Sequence, residues 1–177
     1  VQIGTGSWLS VGTMYNTVIA IRSDYTLWSW GLNNAGQLGL GDTIDRSSPV
    51  QIGTSSWTQV AVGISSMVAI KLDSTIYAWG LNTFGQIGDG TTINKSSPVQ
   101  IGTSSWSAIN AGTSWSAGIS AFRLFMWGSS VKYELGTGTT TGRSSPVQLG
   151  TSSWVAIGGT VNPVGITLPY SLFGWGN

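Results

Sequence analysis

Short apolar runs separated by turn residues set the rhythm of this chain. One stretch carries WTQVAVG (Trp57 to Gly63), MVAIKL (Met67 to Leu72) and TIYAWG (Thr75 to Gly80), each rich in β-branched and aromatic residues and bounded by Gly, Ser or Asp. Runs of this length and composition predict β-strands. A fourth run, PVQIG from Pro98 to Gly102, follows the long loop LNTFGQIGDGTTINKSS. Its proline has no N–H for a ladder, so the strand is expected to begin there or to lie on an edge. No stretch combines an apolar helical period with helix caps. The pattern therefore predicts four strands, A to D, and almost no helix.

The pattern then returns. SSPVQIGTSSW occupies residues 47–57 and again 96–106, and SSPVQLGTSSW occupies 144–154. The Val-Gln-Ile/Leu-Gly element stands at Val1, Val50, Val99 and Val147, spacings of 49, 49 and 48. One tryptophan per period falls at Trp8, Trp57, Trp106 and Trp154, and a second, always followed by Gly, at Trp30, Trp79, Trp127 and Trp175. The repeats are 5–53, 54–102, 103–150 and an incomplete 151–177, with 1–4 a strand of a preceding or closing blade. Four antiparallel strands per 48–49 residues predict an all-β chain, a β-propeller built of four-stranded antiparallel blades. The eight tryptophans are then structural, wedged where blades meet. Burying each removes roughly 150–250 Å² from water, an upper bound of about 4–6 kcal/mol at ~25 cal/mol per Å².

WGLNNAGQLGLGD (Trp30 to Asp42) and WGLNTFGQIGDGT (Trp79 to Thr91) resemble the signature of the regulator of chromosome condensation repeat, W-G-x-N-x-x-G-Q-L-G-x-G. The resemblance spans the whole chain as three repeats and part of a fourth. It implies a ring of seven blades, within the roughly 4–8 that propellers use, so the chain is expected to be a fragment of one, the alternative being a smaller ring than the family's usual one. Val1 to Gly4 would be a lone strand D, and Tyr170 to Gly176 would end a strand C whose own D lies elsewhere. The resemblance also implies guanine nucleotide exchange on a small GTPase as one possible activity. Several positions depart from the signature. Tyr133 and Glu134 replace Gly and Gln in the third repeat, Thr17 and Ser66 stand near the place of the family's histidine, and SDYT and LDST replace its Asp-Gly turn. ISAFRLFMW fits that turn poorly, so irregular pairing is expected in repeat three.

Composition narrows the function. Charged residues make up 7% of the chain, against roughly 25% in soluble domains. The net charge is +1, and no Lys/Arg run tracks phosphates, which argues against nucleic acid. There is no Cys and no His, which removes thiolate chemistry and the usual general base. Asp42 and Asp89 offer one carboxylate per glycine-rich loop, short of a calcium shell, and read as turn-makers. The expectation is no enzyme, no metal, no cofactor and no membrane insertion, since Ser, Thr, Gly and Asn interrupt every apolar stretch.

If strand A runs up, the A–B and C–D loops share a top face and the B–C and D–A turns share a bottom one. Variation between repeats concentrates in the top loops, whereas the D–A turn hardly changes. The expected partner-binding residues are Tyr15, Asn16, Met67, Phe84, Trp115, Lys132 and Tyr133, because aromatics and Met anchor interfaces. Arg46, Lys95 and Arg143, one before each Ser-Ser-Pro, form a basic rim. The function expected is a protein-interaction or scaffold module, a structural or appendage subunit of a larger bacterial or phage assembly at a cell or virion surface. The alternatives are nucleotide exchange, inhibition of an enzyme, and glycan binding.

Overall fold

A computed structural model describes residues 6–176, all-β and arranged as successive antiparallel blades. Blade one comprises β1 (Trp8–Met14), β2 (Thr17–Arg22), β3 (Leu27–Gly31) and β4 (Arg46–Gln51). Blade two comprises β5 (Trp57–Val62), β6 (Ser66–Lys71), β7 (Ile76–Gly80) and β8 (Lys95–Gln100). Blade three comprises β9 (Ala108–Ala111), β10 (Trp115–Ser120), β11 (Arg123–Gly128) and β12 (Arg143–Gln148). Blade four is described with three strands, β13 (Trp154–Gly158), β14 (Val164–Thr167) and β15 (Ser171–Gly174). Within each blade the strands lie in sequence order A-B-C-D, and the A strands of successive blades pack side by side. The expected D strand of Val1 to Gly4 lies outside the described residues.

Strand D begins three residues before the expected proline. Arg46, Lys95 and Arg143 open β4, β8 and β12 and pair with Gly31, Gly80 and Gly128, next to an irregularity in each ladder. The ladder thus starts on residues that keep their N–H, and the proline follows within an edge strand, where a missing donor is tolerated.

Repeat three pairs without the expected irregularity at its hairpin. β10 and β11 run in register from Trp115↔Gly128 to Ser120↔Arg123, leaving a two-residue turn, Ala121-Phe122, both at positive φ (47° and 60°). Both positive values mark the type I′ turn, whose twist matches the flanking strands. Blades one and two use a longer turn, in which the Arg22 and Lys71 N–H groups donate to the Thr26 and Thr75 carbonyls, their carbonyls accept from the Tyr25 and Ser74 N–H groups, and only Tyr25 and Ser74 have positive φ. In blade two Ile70 pairs Ile76, whereas in blade three Ile119 pairs Leu124. The residue that shortens the period from 49 to 48 is missing from this turn.

Three seams hold three cores. Ile19, Ile21, Leu27, Ile52, Trp57, Met67 and Trp79 join blades one and two. Val68, Ile70, Ile76, Ile87, Trp106 and Trp127 join two and three, and Trp115, Ile119, Leu124, Leu135 and Trp154 join three and four. The paired tryptophans meet at an angle, with Trp57–Trp79, Trp106–Trp127 and Trp154–Trp175 centroids 6.1, 6.0 and 5.7 Å apart. In blade one, Trp8 and Trp30 form the same pair at 6.1 Å but stay partly exposed.

Candidate functional site

The C–D loops are the longest connections and are built as rigid brackets. Asn33 is buried at the centre of the first: its Oδ1 accepts from the Leu38 N–H at 2.8 Å, and its Nδ2 donates to the Asp42 and Ile44 carbonyls at 3.1 Å. Asn82 repeats this with Ile87, Thr91 and Ile93. The loop is then clamped by its neighbour. Trp79 Nε1 donates to the Gln37 carbonyl at 3.0 Å, Trp127 Nε1 to Gln86 at 2.9 Å and Trp175 Nε1 to Glu134 at 2.7 Å. Gly39 has φ +72°, and a Cβ there would stand 2.7 Å from the Trp79 nitrogen. The Gly-Gln-Leu-Gly motif is therefore a socket for the next blade's tryptophan.

Fixed brackets project their variable residues outward. Tyr15 is 76% exposed on the first A–B hairpin, Phe84 is 52% exposed on the second C–D loop, and Asn16, Lys132 and Tyr133 are also exposed. Tyr133 takes the place of Gly36 and Gly85, where strand D of the next blade passes 2.6 Å from a would-be Cβ.

Met67 and Trp115 are corrections. Both are fully buried, as the second residue of β6 and the first of β10, so neither is an exposed anchor. Met67 packs in the first seam, and Trp115 Nε1 donates to the Val161 carbonyl of blade four at 3.0 Å. Trp115 shares a column with buried Thr17 and Ser66, each opposite the glycine that ends strand C, so this position faces inward in all three blades.

The basic rim is largely neutralised. Arg46 Nη2 lies 2.6 Å from Asp42 Oδ2 and Lys95 Nζ 3.0 Å from Asp89 Oδ2, whereas Arg143 has no carboxylate partner among the described residues. The Ile44 N–H and the Arg46 side chain hold the Asp42 carboxyl below its ordinary value. Burial alone would raise Asp89, but the Thr91 hydroxyl and Lys95 outweigh it and the net shift is downward. Both carboxylates also accept from backbone N–H groups two residues on, as turn-makers do. Among the described residues no group of three or more His, Cys, Asp and Glu gathers to hold a metal ion.

One surface escaped the sequence reading. Every B–C turn carries an exposed apolar side chain: Tyr25, Leu72, Phe122, and Leu168 with Tyr170. Variation is therefore present on the bottom face as well as the top.

Comparison with known proteins accords with this architecture. The model of the "Regulator of chromosome condensation (RCC1) repeat" matches residues 26–70 and 73–119, and a second model of the same description matches 57–86. Human WBSCR16 superimposes with a TM-score of 0.84 at 21% identity, covering 99% of this chain and 49% of that one. Prp20p from Saccharomyces cerevisiae, described with its binding to Gsp1p and histones, gives 0.79 at 17% identity over 96% of this chain and 44% of its own. Yeast RCC1 (Prp20) bound to Kap60 gives 0.84 at 16%, covering 99% and 45%. The chain thus spans less than half the length of these structures. No curated protein matches it by sequence. With matched repeats over more than half its length and the tryptophan socket in each seam, the chain belongs to the regulator of chromosome condensation repeat family.

Proposed function

We propose that the chain is a non-catalytic protein-interaction module that engages a protein partner through the top face, with Tyr15, Phe84, Lys132 and Tyr133 as contact residues. The carrying observation is the contrast within the C–D loops: the neighbour's tryptophan clamps all three and buried Asn and Gln fix the frame in blades one and two, while the tips are exposed and differ from blade to blade. Rigid strands presenting variable aromatic tips suit recognition, because little ordering entropy is lost on binding. The family's protein partners support the same class: Prp20p binds Gsp1p and histones, and yeast RCC1 has been crystallised with Kap60. The low charge further supports a scaffold role within a larger assembly, as an appendage or surface subunit.

A partner recovered on the immobilised chain and then purified tests the surface by titration. Tyr15→Ala with Phe84→Ala is expected to weaken its binding at least tenfold, about 1.4 kcal/mol or more, with the unfolding midpoint unchanged. Retained affinity in that variant, with loss in Tyr25→Ala or Phe122→Ala, would move the surface to the B–C turns. Nucleotide exchange is the second reading, favoured by the family and by Prp20p's association with Gsp1p. It requires a stable complex with a nucleotide-free small GTPase.

A further inference from the structure

The C–D loop of blade three lacks the groups that close its two sisters. In blade one the Asn33 N–H donates to Asp45 Oδ1 at 2.7 Å, and Arg46 is paired with Asp42. In blade two the Asn82 N–H donates to Asn94 Oδ1 at 2.8 Å, and Lys95 is paired with Asp89. The corresponding residues of blade three are Ser130, Gly142 and Arg143. Gly142 has no side chain to accept from the Ser130 N–H. Thr139 and Thr137 stand where Asp42 and Asp89 stand, and their hydroxyls bond each other at 3.2 Å. Among the described residues, neither the Ser130 N–H nor the Arg143 guanidinium has an acceptor, although Ser130 is fully buried.

These groups line one cleft. It measures about 320 Å³ between blades two and three, with Thr83, Phe84, Ser129, Ser130, Val131 and Arg143 in its wall. Ser129 and Ser130 are 5% and 0% exposed, whereas Phe84 and Val131 are 52% and 67% exposed. A buried N–H without an acceptor is costly, and a cation beside it favours an anionic oxygen. The sister loops show the chemistry that satisfies the same positions, an oxygen on the N–H and a carboxylate on the cation.

We propose that this cleft receives a carboxylate in trans, from an acidic side chain of a protein partner. The exposed Arg143 guanidinium meets the carboxylate first, the partner's flanking apolar residue lies on Phe84 and Val131, and a small outward shift of the loop then uncovers the Ser130 N–H, from which one carboxylate oxygen accepts. This deepens the reading of the chain as an interaction module and rests on it.

The test follows the Ser130 amide by NMR in the full chain. The probe is a blocked tripeptide with glutamate between two leucines; its glutamine analogue and free glucuronate are the controls. The glutamate peptide is expected to shift the amide saturably below about 10 mM, and the glutamine analogue to leave it unmoved. Arg143→Gln should weaken binding about tenfold, with Arg143→Lys recovering part of the loss. Thr139→Asp restores in cis the carboxylate that Asp42 offers Arg46 in blade one and should weaken binding at least about tenfold while the fold is kept. Equal binding of the glutamine analogue, no saturable shift, or unchanged binding in Thr139→Asp overturns the proposal, as does binding of glucuronate without the peptide. If Arg143→Gln leaves a partner's affinity intact while Tyr15→Ala with Phe84→Ala removes it, the interaction module stands and the carboxylate cleft falls.

Discussion

A tryptophan and a glycine from adjoining blades form the smallest unit on which this fold depends. Trp57 is 98% buried, leaving 2% of its surface exposed, and sits between Tyr77 and Trp79 with Lys71 over its ring. Trp57→Ala should cost about 3–5 kcal/mol, read from urea unfolding; a cost below about 1 kcal/mol would mean the ring does not bridge the seam. Gly39→Ala tests the opposite side of the joint. Its φ of +72° and the Trp79 nitrogen 2.7 Å from the new Cβ combine backbone strain with overpacking, so about 2 kcal/mol should be lost. The carboxylates add a pH dependence. Asp42 and Asp89 have folded-state pKa values lowered from the ordinary 3.8, so their contribution is present above that value and is lost as pH falls through it toward the lowered one. Thermal midpoints should hold steady from neutral pH to about pH 5 and fall below 3.8. Asp42→Asn with Asp89→Asn should make that acid limb shallower, the remainder resting on Asp24 and Asp73, whose carboxyls the Thr26 and Thr75 hydroxyls hold below the ordinary value. The tryptophan columns and the turn role of these aspartates were readable from spacing and residue type. The burial of Met67 and Trp115 was not, because residues at the first positions of a strand adjoin the variable A–B loop, and only strand register decides that they face inward.

At the scale of the element, hairpin length explains what sequence patterning left unsettled. ISAFRLFMW offers no Gly or Asn to mark a turn, yet Ala121 and Phe122 both adopt positive φ and close β10 onto β11. Inward-facing Ile119, Leu124 and Met126 and the buried tryptophans fix the register, and the turn accepts strain to preserve it, since a one-residue slip would turn that set outward. Aromatic residues recur at such positions: Tyr15, Tyr25, Phe122, Tyr133 and Tyr170 all have positive φ and are exposed. Each costs roughly 1 kcal/mol against glycine's freedom there, a strain that packing does not require. Replacing Ala121-Phe122 by Asn-Gly, the pair suited to a type I′ turn, should therefore raise stability by about 1 kcal/mol. A loss on equilibrium denaturation would show instead that Phe122 packs usefully on its own blade. The four-strand period was legible because alternation and turn chemistry agree in blades one and two. The start of strand D was not, since RSSP and KSSP read as loop and become strand only by pairing beside Gly31 and Gly80.

Across the whole molecule, stability is distributed over seams rather than over one centre. β6 and β10 are buried along nearly their whole length, whereas β15 is exposed throughout and β1 presents Leu9 and Val11 at 58% and 65% exposure. In a stack where each blade contacts only its neighbours, local opening should follow that gradient. Amides of β6 and β10 should exchange at least about a hundredfold more slowly than those of β15, about 2.7 kcal/mol. Gly88→Ala then separates two views of cooperativity. A Cβ at Gly88 would stand 2.6 Å from Trp127 Nε1, so the substitution strains only the joint between blades two and three. If the blade is the unit of stability, exchange should quicken in β6, β7, β10 and β11 while β2 and β3 of blade one change less. Equal acceleration in every blade would show that the three tryptophan joints transmit strain without loss, making the whole stack the cooperative unit. The top-face loops would then be held by the far seams as firmly as by their own.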